Sequence, residues 1–196
     1  MKALQPYVAA EFPGIFDLRG LSPELMQDHH KLYSSYVDNF NKTTQLLSQT
    51  TEQPTLGALT RQMSFEWNGI VLHEFFFSGL SSVSFASAPK VESHFEDALK
   101  LAFGSFEQWQ KEFELLATTR GNGWAVLYAS VGGQLMNAWV DQHHIGCLVE
   151  GQPIVVCDVW EHAYLKDYGL DRKAYLKAFF DNLNWPVARE RYRGHF

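Results

Sequence analysis

Apolar positions recur along this chain with two different periods, and the switch between them divides it. Leu25, His29, Leu32, Tyr33, Tyr36 and Phe40 follow one another at three- and four-residue steps, which is the spacing of one helical face. Ser22 can cap the free amides, Pro23 suits the first helical position and Glu24 favours the positive end of the dipole. The pattern predicts a helix from Ser22 to about Thr50, broken by Pro54 and Gly57. A second long helix fits residues 58–79, with Leu59, Met63, Gly69 or Ile70, and His73 near one face and Gly79 as its stop. Two long helices joined by a short polar loop predict an antiparallel hairpin.

The stretch 81–89 is rich in Ser and Ala and reads as a linker. Residues 90–102 and 105–119 then predict two shorter amphipathic helices. After them the period changes. Residues 124–131 and 135–142 are apolar, partly alternating runs separated by Gly132-Gly133, the signature of a hairpin, and 154–157 gives a third short strand. Residues 171–183 return to a helical pattern, which Asn184-Trp185-Pro186 stops before a short basic helix. The fold class is α+β. An N-terminal antiparallel helical hairpin (1–82) precedes a C-terminal lobe (88–196) with a small three-stranded antiparallel sheet flanked by helices.

Composition narrows the function. A hydrophobic fraction of 46% against 19% charged residues excludes a disordered chain of 196 residues. Lys plus Arg is 16 and Asp plus Glu is 22, so the net charge of -6 leaves no basic excess for a phosphate backbone, and no nucleic-acid partner is expected. Cys147 and Cys157 form no CxxC, which excludes zinc-ribbon and thioredoxin readings; both are expected to be buried thiols. Residues 1–11 lack the long apolar run of a secretory leader, and no stretch approaches the ~20 apolar residues of a membrane helix. The expectation is a cytoplasmic protein without a membrane partner.

Among eight histidines, the most informative local pattern is Asp158-Val-Trp-Glu-His162. Asp158 closes an apolar strand, where a carboxylate is costly to bury alone. His162 follows four residues later, so a helical turn there points both side chains the same way. Such a pair can share a metal ion, form a buried Asp–His hydrogen bond, or act as an acid–base couple. His29 and His73 each sit mid-helix on the aromatic face. With Asp158 and His162 they make a three-imidazole, one-carboxylate set suited to iron or manganese, and also to zinc or copper. A closed zinc site would usually carry thiolates, and neither cysteine is suitably spaced.

Asp158-Val-Trp-Glu-His-Ala-Tyr164 resembles the signature of the iron/manganese superoxide dismutases. Phe103-Gly-Ser-Phe106, Gly121-Asn-Gly-Trp124, Asn184-Trp185 and His73-Glu-Phe-Phe-Phe77 are similar to further segments of that family, in the family's order. The resemblance covers about residues 15–192. It implies a superoxide dismutase with one iron or manganese ion per subunit, ligated by His29, His73, Asp158 and His162 between the two lobes. Superoxide anion is the implied substrate. It also implies a homodimer or tetramer with Glu161 and His162 at the interface, Glu161 bridging to His162 of the partner subunit. Trp124 is implied as a wall of the site, and Tyr36 as the gateway tyrosine with Tyr33 second.

The first helix departs from the family pattern. His29-His-Lys-Leu-Tyr33-Ser-Ser-Tyr36 is one residue short between ligand and gateway, as the absence of a one-residue π-bulge would make it. His29 is taken as the ligand and His30 as the fallback. Many relatives hold a glutamine near the metal-bound solvent, from the position of Gly69 or that of His143; here His143 takes the role. Leu165 stands where many relatives carry a second tyrosine. Arg172 and Lys31 are the candidates for a local positive funnel that counters the overall charge. Two rivals stand beside this reading: a metal-binding or structural protein on the same fold without turnover, and a mononuclear metal hydrolase using His143 or Glu161 as base.

Overall fold

The computed structural model describes residues 4–83 and 94–193. Helix α1 (Pro23–Gln49) starts where its cap places it: Ser22 Oγ accepts the Leu25 N–H at 3.1 Å. Ser22 is itself pinned by Asp167, whose carboxylate accepts its N–H at 2.6 Å and its O–H at 2.7 Å. α1 is α-helical throughout, with no π turn, and buries Leu25, His29, Tyr33, Val37 and Phe40 along one side.

Helix α2 (Gln53–Ser78) begins five residues before the predicted 58. Pro54 lies in its first turn, where a missing N–H costs nothing, so the residue taken as a breaker is a starter. Gly57 is carried inside the helix. α1 and α2 pack as the predicted hairpin. They come close at Gly69, where a Cβ would stand 3.0 Å from the Tyr36 ring.

Two helices, α3 (His94–Phe103) and α4 (Phe106–Ala117), lead into the sheet. β1 (Gly123–Ala129) lies between β2 (Leu135–Asp141) and β3 (Gln152–Asp158), and both pairings are antiparallel. The central strand is buried at every residue, which explains why it reads as an apolar run rather than an alternation. β3 begins two residues before the predicted 154 and takes in Pro153, which an edge strand tolerates. A 3-10 turn (Glu161–Ala163) and the short helix α5 (Leu165–Tyr168) follow. α6 (Arg172–Asp181) is capped by Asp171, and α7 (Trp185–Arg193) carries Pro186 in its first turn.

The hairpin and the sheet meet where α2 packs on β3. Ser81 N–H donates to the Asn182 carbonyl at 2.8 Å, and Leu80 bridges to Leu183, closing the hairpin's end onto the second lobe. Of the linker expected over 81–89, residues 84–89 lie outside the described residues. Cys157 is buried in β3, but Cys147 is exposed, against the expectation of two buried thiols; it sits in the loop after β2. Among the described residues no helix is long and apolar enough to cross a membrane.

Candidate metal centre

Asp158 is the last residue of β3, paired across the sheet with Trp124, and is fully buried. Two bonds fix its orientation. Its Oδ1 accepts the Trp160 N–H at 2.8 Å, and its backbone carbonyl accepts the Tyr175 hydroxyl at 2.6 Å. Oδ2 is left facing three imidazoles: Nε2 of His29 at 3.1 Å, of His162 at 3.1 Å and of His73 at 3.7 Å. One ligand atom from each of the four residues lies within 4.8 Å of all the others. The sequence-predicted set is therefore brought to one point. His162 arrives there through the 3-10 turn rather than an α-helix, and its side chain alone reaches the surface, at 25% exposure.

The donor chemistry fits a cation. His73 Nδ1–H donates to the Gly69 carbonyl at 2.6 Å, so its Nε2 carries a lone pair. That atom is buried without a hydrogen-bond partner and faces a carboxylate oxygen, which is also an acceptor. Two lone pairs aimed at one another repel unless a positive ion lies between them. Burial lowers the pKa of His29 and of His73, keeping both imidazoles neutral and ready to ligate. Burial pushes the Asp158 carboxyl up, but the imidazoles of His162 and His29 outweigh it and hold it well below the usual carboxylate range. Three imidazole nitrogens and one carboxylate can hold one metal ion.

Around this cluster the side chains form a second chain of contacts. Trp124 Nε1–H donates to His143 Nδ1 at 3.0 Å, and His143 Nε2 lies 2.8 Å from the Tyr36 hydroxyl. Trp160 stacks on His143 at 5.0 Å and on His162 at 5.8 Å. His143 is fully buried in the loop after β2, where Gln142 takes a positive φ of 50°. Burial lowers the His143 pKa to about 4.

The two tyrosines of α1 separate clearly. Tyr36 reaches His143, and its ring lies 5.2 Å from that of His73. Tyr33 turns the other way: its hydroxyl donates to Glu74 at 2.7 Å and accepts the Ala10 N–H at 2.8 Å. His30 lies outside the cluster, its ring 6.2 Å from both Phe12 and Phe16. Arg172 is held in one place by the loop before β1. Its guanidinium donates to the Thr119 carbonyl at 2.7 Å and the Tyr164 hydroxyl at 3.0 Å, with longer bonds to the Ala117 and Gly121 carbonyls. It staples the loop before β1. Lys31 is exposed. Tyr175, which holds the Asp158 backbone, was not picked out in the sequence; a tyrosine on an amphipathic helix gives no sign that its hydroxyl will end at a strand terminus.

Residues 91–191 match the family described as "Iron/manganese superoxide dismutases, C-terminal domain". "Superoxide dismutase [Mn] 1" of Halobacterium salinarum is 33% identical, over 90% of this chain and 91% of its own length. "Superoxide dismutase [Fe]" of Cupriavidus metallidurans is 33% identical over 89% of this chain and 90% of its own. "Superoxide dismutase [Fe]" of Methanothermobacter thermautotrophicus is 32% identical over 97% and 89%. Relatives named for manganese and for iron stand at the same distance, so these names leave the metal open. With the family's C-terminal domain matched over more than half the chain and relatives aligned along nearly all of it, this chain belongs to the iron/manganese superoxide dismutase family.

Proposed function

We propose that this chain is a superoxide dismutase, with one iron or manganese ion held by His29, His73, Asp158 and His162. The observation that carries this reading is the convergence of three imidazole Nε2 atoms on one buried carboxylate oxygen, with Nε2 of His73 unpartnered. Bound there, the metal supplies the one-electron step between its trivalent and divalent states, oxidising one superoxide to dioxygen and reducing a second to the peroxide level. The protein's own residues supply position and protons.

The proton position can be derived. An indole N–H only donates, so Trp124 makes His143 Nδ1 an acceptor and leaves the proton on Nε2. Nε2–H then donates to the Tyr36 oxygen. The Tyr36 hydroxyl proton has no acceptor among the described residues and is available to a substrate in the site. Burial raises the Tyr36 pKa, so the phenol keeps this proton at neutral pH. Trp124 orients, His143 transmits, and Tyr36 delivers. Trp160 and Trp124 close the walls with aromatic surface and limit water.

The assembly is read as a homodimer or a tetramer. Leu25, Asp28, Glu161, His162, Leu165 and Lys166 line one surface depression, which leaves an edge of a proposed ligand open. A second subunit covering it, with Glu161 reaching the partner's His162, would order that ligand. Two unpaired cysteines suit a reducing compartment, and we place the protein in the cytoplasm.

The test is superoxide decay in two samples, one refolded with iron alone and one with manganese alone. A rate constant approaching ~10⁸–10⁹ M⁻¹s⁻¹ in either supports the enzyme, and the ratio of the two identifies the working metal. One equivalent of bound metal with decay no faster than buffer in both would leave a metal-binding protein without turnover.

A further inference from the structure

Tyr33, Tyr7 and Trp67 take no part in the cluster or in the Trp124–His143–Tyr36 chain, yet they lead outward from it. Tyr33 is fully buried, its ring centroid 6.3 Å from that of His73. Its hydroxyl donates to Glu74 Oε1 at 2.7 Å. Tyr7 donates to the same carboxylate, 3.0 Å from Oε1 and 3.1 Å from Oε2. The Tyr7 ring stands edge-on to Trp67 at 5.4 Å, and Trp67 is 40% exposed. Phenylalanine would fill these places as well if packing were all that mattered. What tyrosine adds is a ring that can be oxidised and a hydroxyl whose proton has somewhere to go.

We propose that Tyr33, Tyr7 and Trp67 form a relay that carries an oxidising equivalent from the metal centre to the protein surface. The inference rests on the metal-centre reading above. The oxidant is hydrogen peroxide, the product of the proposed reaction, meeting the divalent metal. Peroxide takes two electrons and two protons to become two waters. A divalent ion held by the four ligands would supply one electron, and Tyr33 supplies the other. The Tyr33 phenolic proton passes to Glu74, and solvent supplies both protons that peroxide takes up. Tyr7 then reduces the Tyr33 radical; its own proton moves to Glu74 as the first returns to Tyr33. Trp67 reduces the Tyr7 radical, which regains its proton from Glu74, and the indole proton leaves to water. At the surface the Trp67 radical takes an electron from a soluble reductant, or combines with dioxygen when none is present.

The experiment maps oxidation in the iron-loaded chain. Bound iron is first measured in wild type, Tyr33→Phe and Tyr7→Phe. Each is then exposed to hydrogen peroxide without reductant, and peptide mass spectrometry locates added oxygen. Trp67 is expected to be oxidised in iron-loaded wild type and spared in the metal-free protein. Each substitution is expected to lower Trp67 oxidation about tenfold, equivalent to ~1.4 kcal/mol of barrier. Tyr7→Phe leaves the buried ring of Tyr33 untouched, so it serves if Tyr33→Phe folds poorly. Equal Trp67 oxidation in wild type and Tyr7→Phe would overturn the relay, as would oxidation confined to Trp124 and Trp160 beside the centre. Iron bound, superoxide consumed and Trp67 spared would overturn the relay alone. Failure of wild type to bind iron would overturn the metal centre and the relay with it.

Discussion

Trp124 and His143 are joined by a 3.0 Å hydrogen bond from indole Nε1–H to imidazole Nδ1, and that bond decides which nitrogen of His143 carries the proton. Everything between the β1 strand and the Tyr36 hydroxyl depends on it. His143→Ala removes both the acceptor for Trp124 and the donor to Tyr36. It is expected to lower the turnover rate by about 10–100-fold while one equivalent of metal stays bound. His143→Gln can accept from Trp124 and donate to Tyr36, and is expected to keep most of the rate. Stopped-flow superoxide decay on the two variants checks this. An alanine variant as fast as wild type would remove His143 from the proton path to Tyr36.

Gly69 and Tyr36 fit each other by shape. A Cβ at residue 69 would meet three atoms of the Tyr36 ring at 3.0 to 3.2 Å. Gly69→Ala is expected to displace that ring and cost about 1–3 kcal/mol as an overpacked contact. The rate should fall because Tyr36 leaves its 2.8 Å contact with His143. Denaturant unfolding and the decay rate measure the two effects separately.

Glu66 is a buried acid, 2% exposed. Gln62 donates to its Oε1, and the Asn39 side chain also bonds the carboxylate. Burial raises its pKa above the ordinary glutamate value, against the lowering effect of Gln62 and Asn39. The folded state therefore holds its proton to higher pH than the unfolded chain does. Stability is lost as pH rises from the ordinary value through the folded one, and the full penalty stands above both. Glu66→Gln is expected to gain roughly 1 kcal/mol, or ~2–4 °C in Tm, at pH 7–8. The gain should vanish below about pH 4, where both states are protonated. A gain that does not change with pH would show that the charge is not its source.

Asp158 is the anion that gathers three imidazoles. Asp158→Asn keeps the shape and removes the charge, and His73→Ala removes the unpartnered nitrogen. Both are expected to lose bound metal and at least 100-fold in rate. Metal content by atomic absorption, read beside the rate, separates lost ligation from lost chemistry.

The sequence made some of this legible and hid the rest for physical reasons. Ser22-Pro23 announces the start of α1 because capping is local chemistry. Pro54 and Gly57 misled because the same residues end one helix and begin another, and only packing against α1 decides which. Asp158 and His162 could be paired from spacing alone. Their meeting with His29 and His73 is set by the packing of α2 on β3 and of α1 on the 3-10 turn, which no local pattern encodes. Arg172 is legible as a basic residue, but not the four hydrogen bonds its two terminal nitrogens give to the carbonyls of Ala117, Thr119 and Gly121 and to the Tyr164 hydroxyl, because those acceptors meet only in the folded chain. The exposure of Cys147 depends on a loop whose path is set by positive-φ positions at Gln142 and Gly146.

The most direct test of the metal centre as a superoxide dismutase is superoxide decay in wild type and Asp158→Asn, each refolded with the metal that supports the faster rate. Wild type is expected near the ~10⁸–10⁹ M⁻¹s⁻¹ ceiling, and Asp158→Asn near buffer with its metal lost. Equal decay in both proteins, or none in wild type carrying one equivalent of metal, would contradict the assignment.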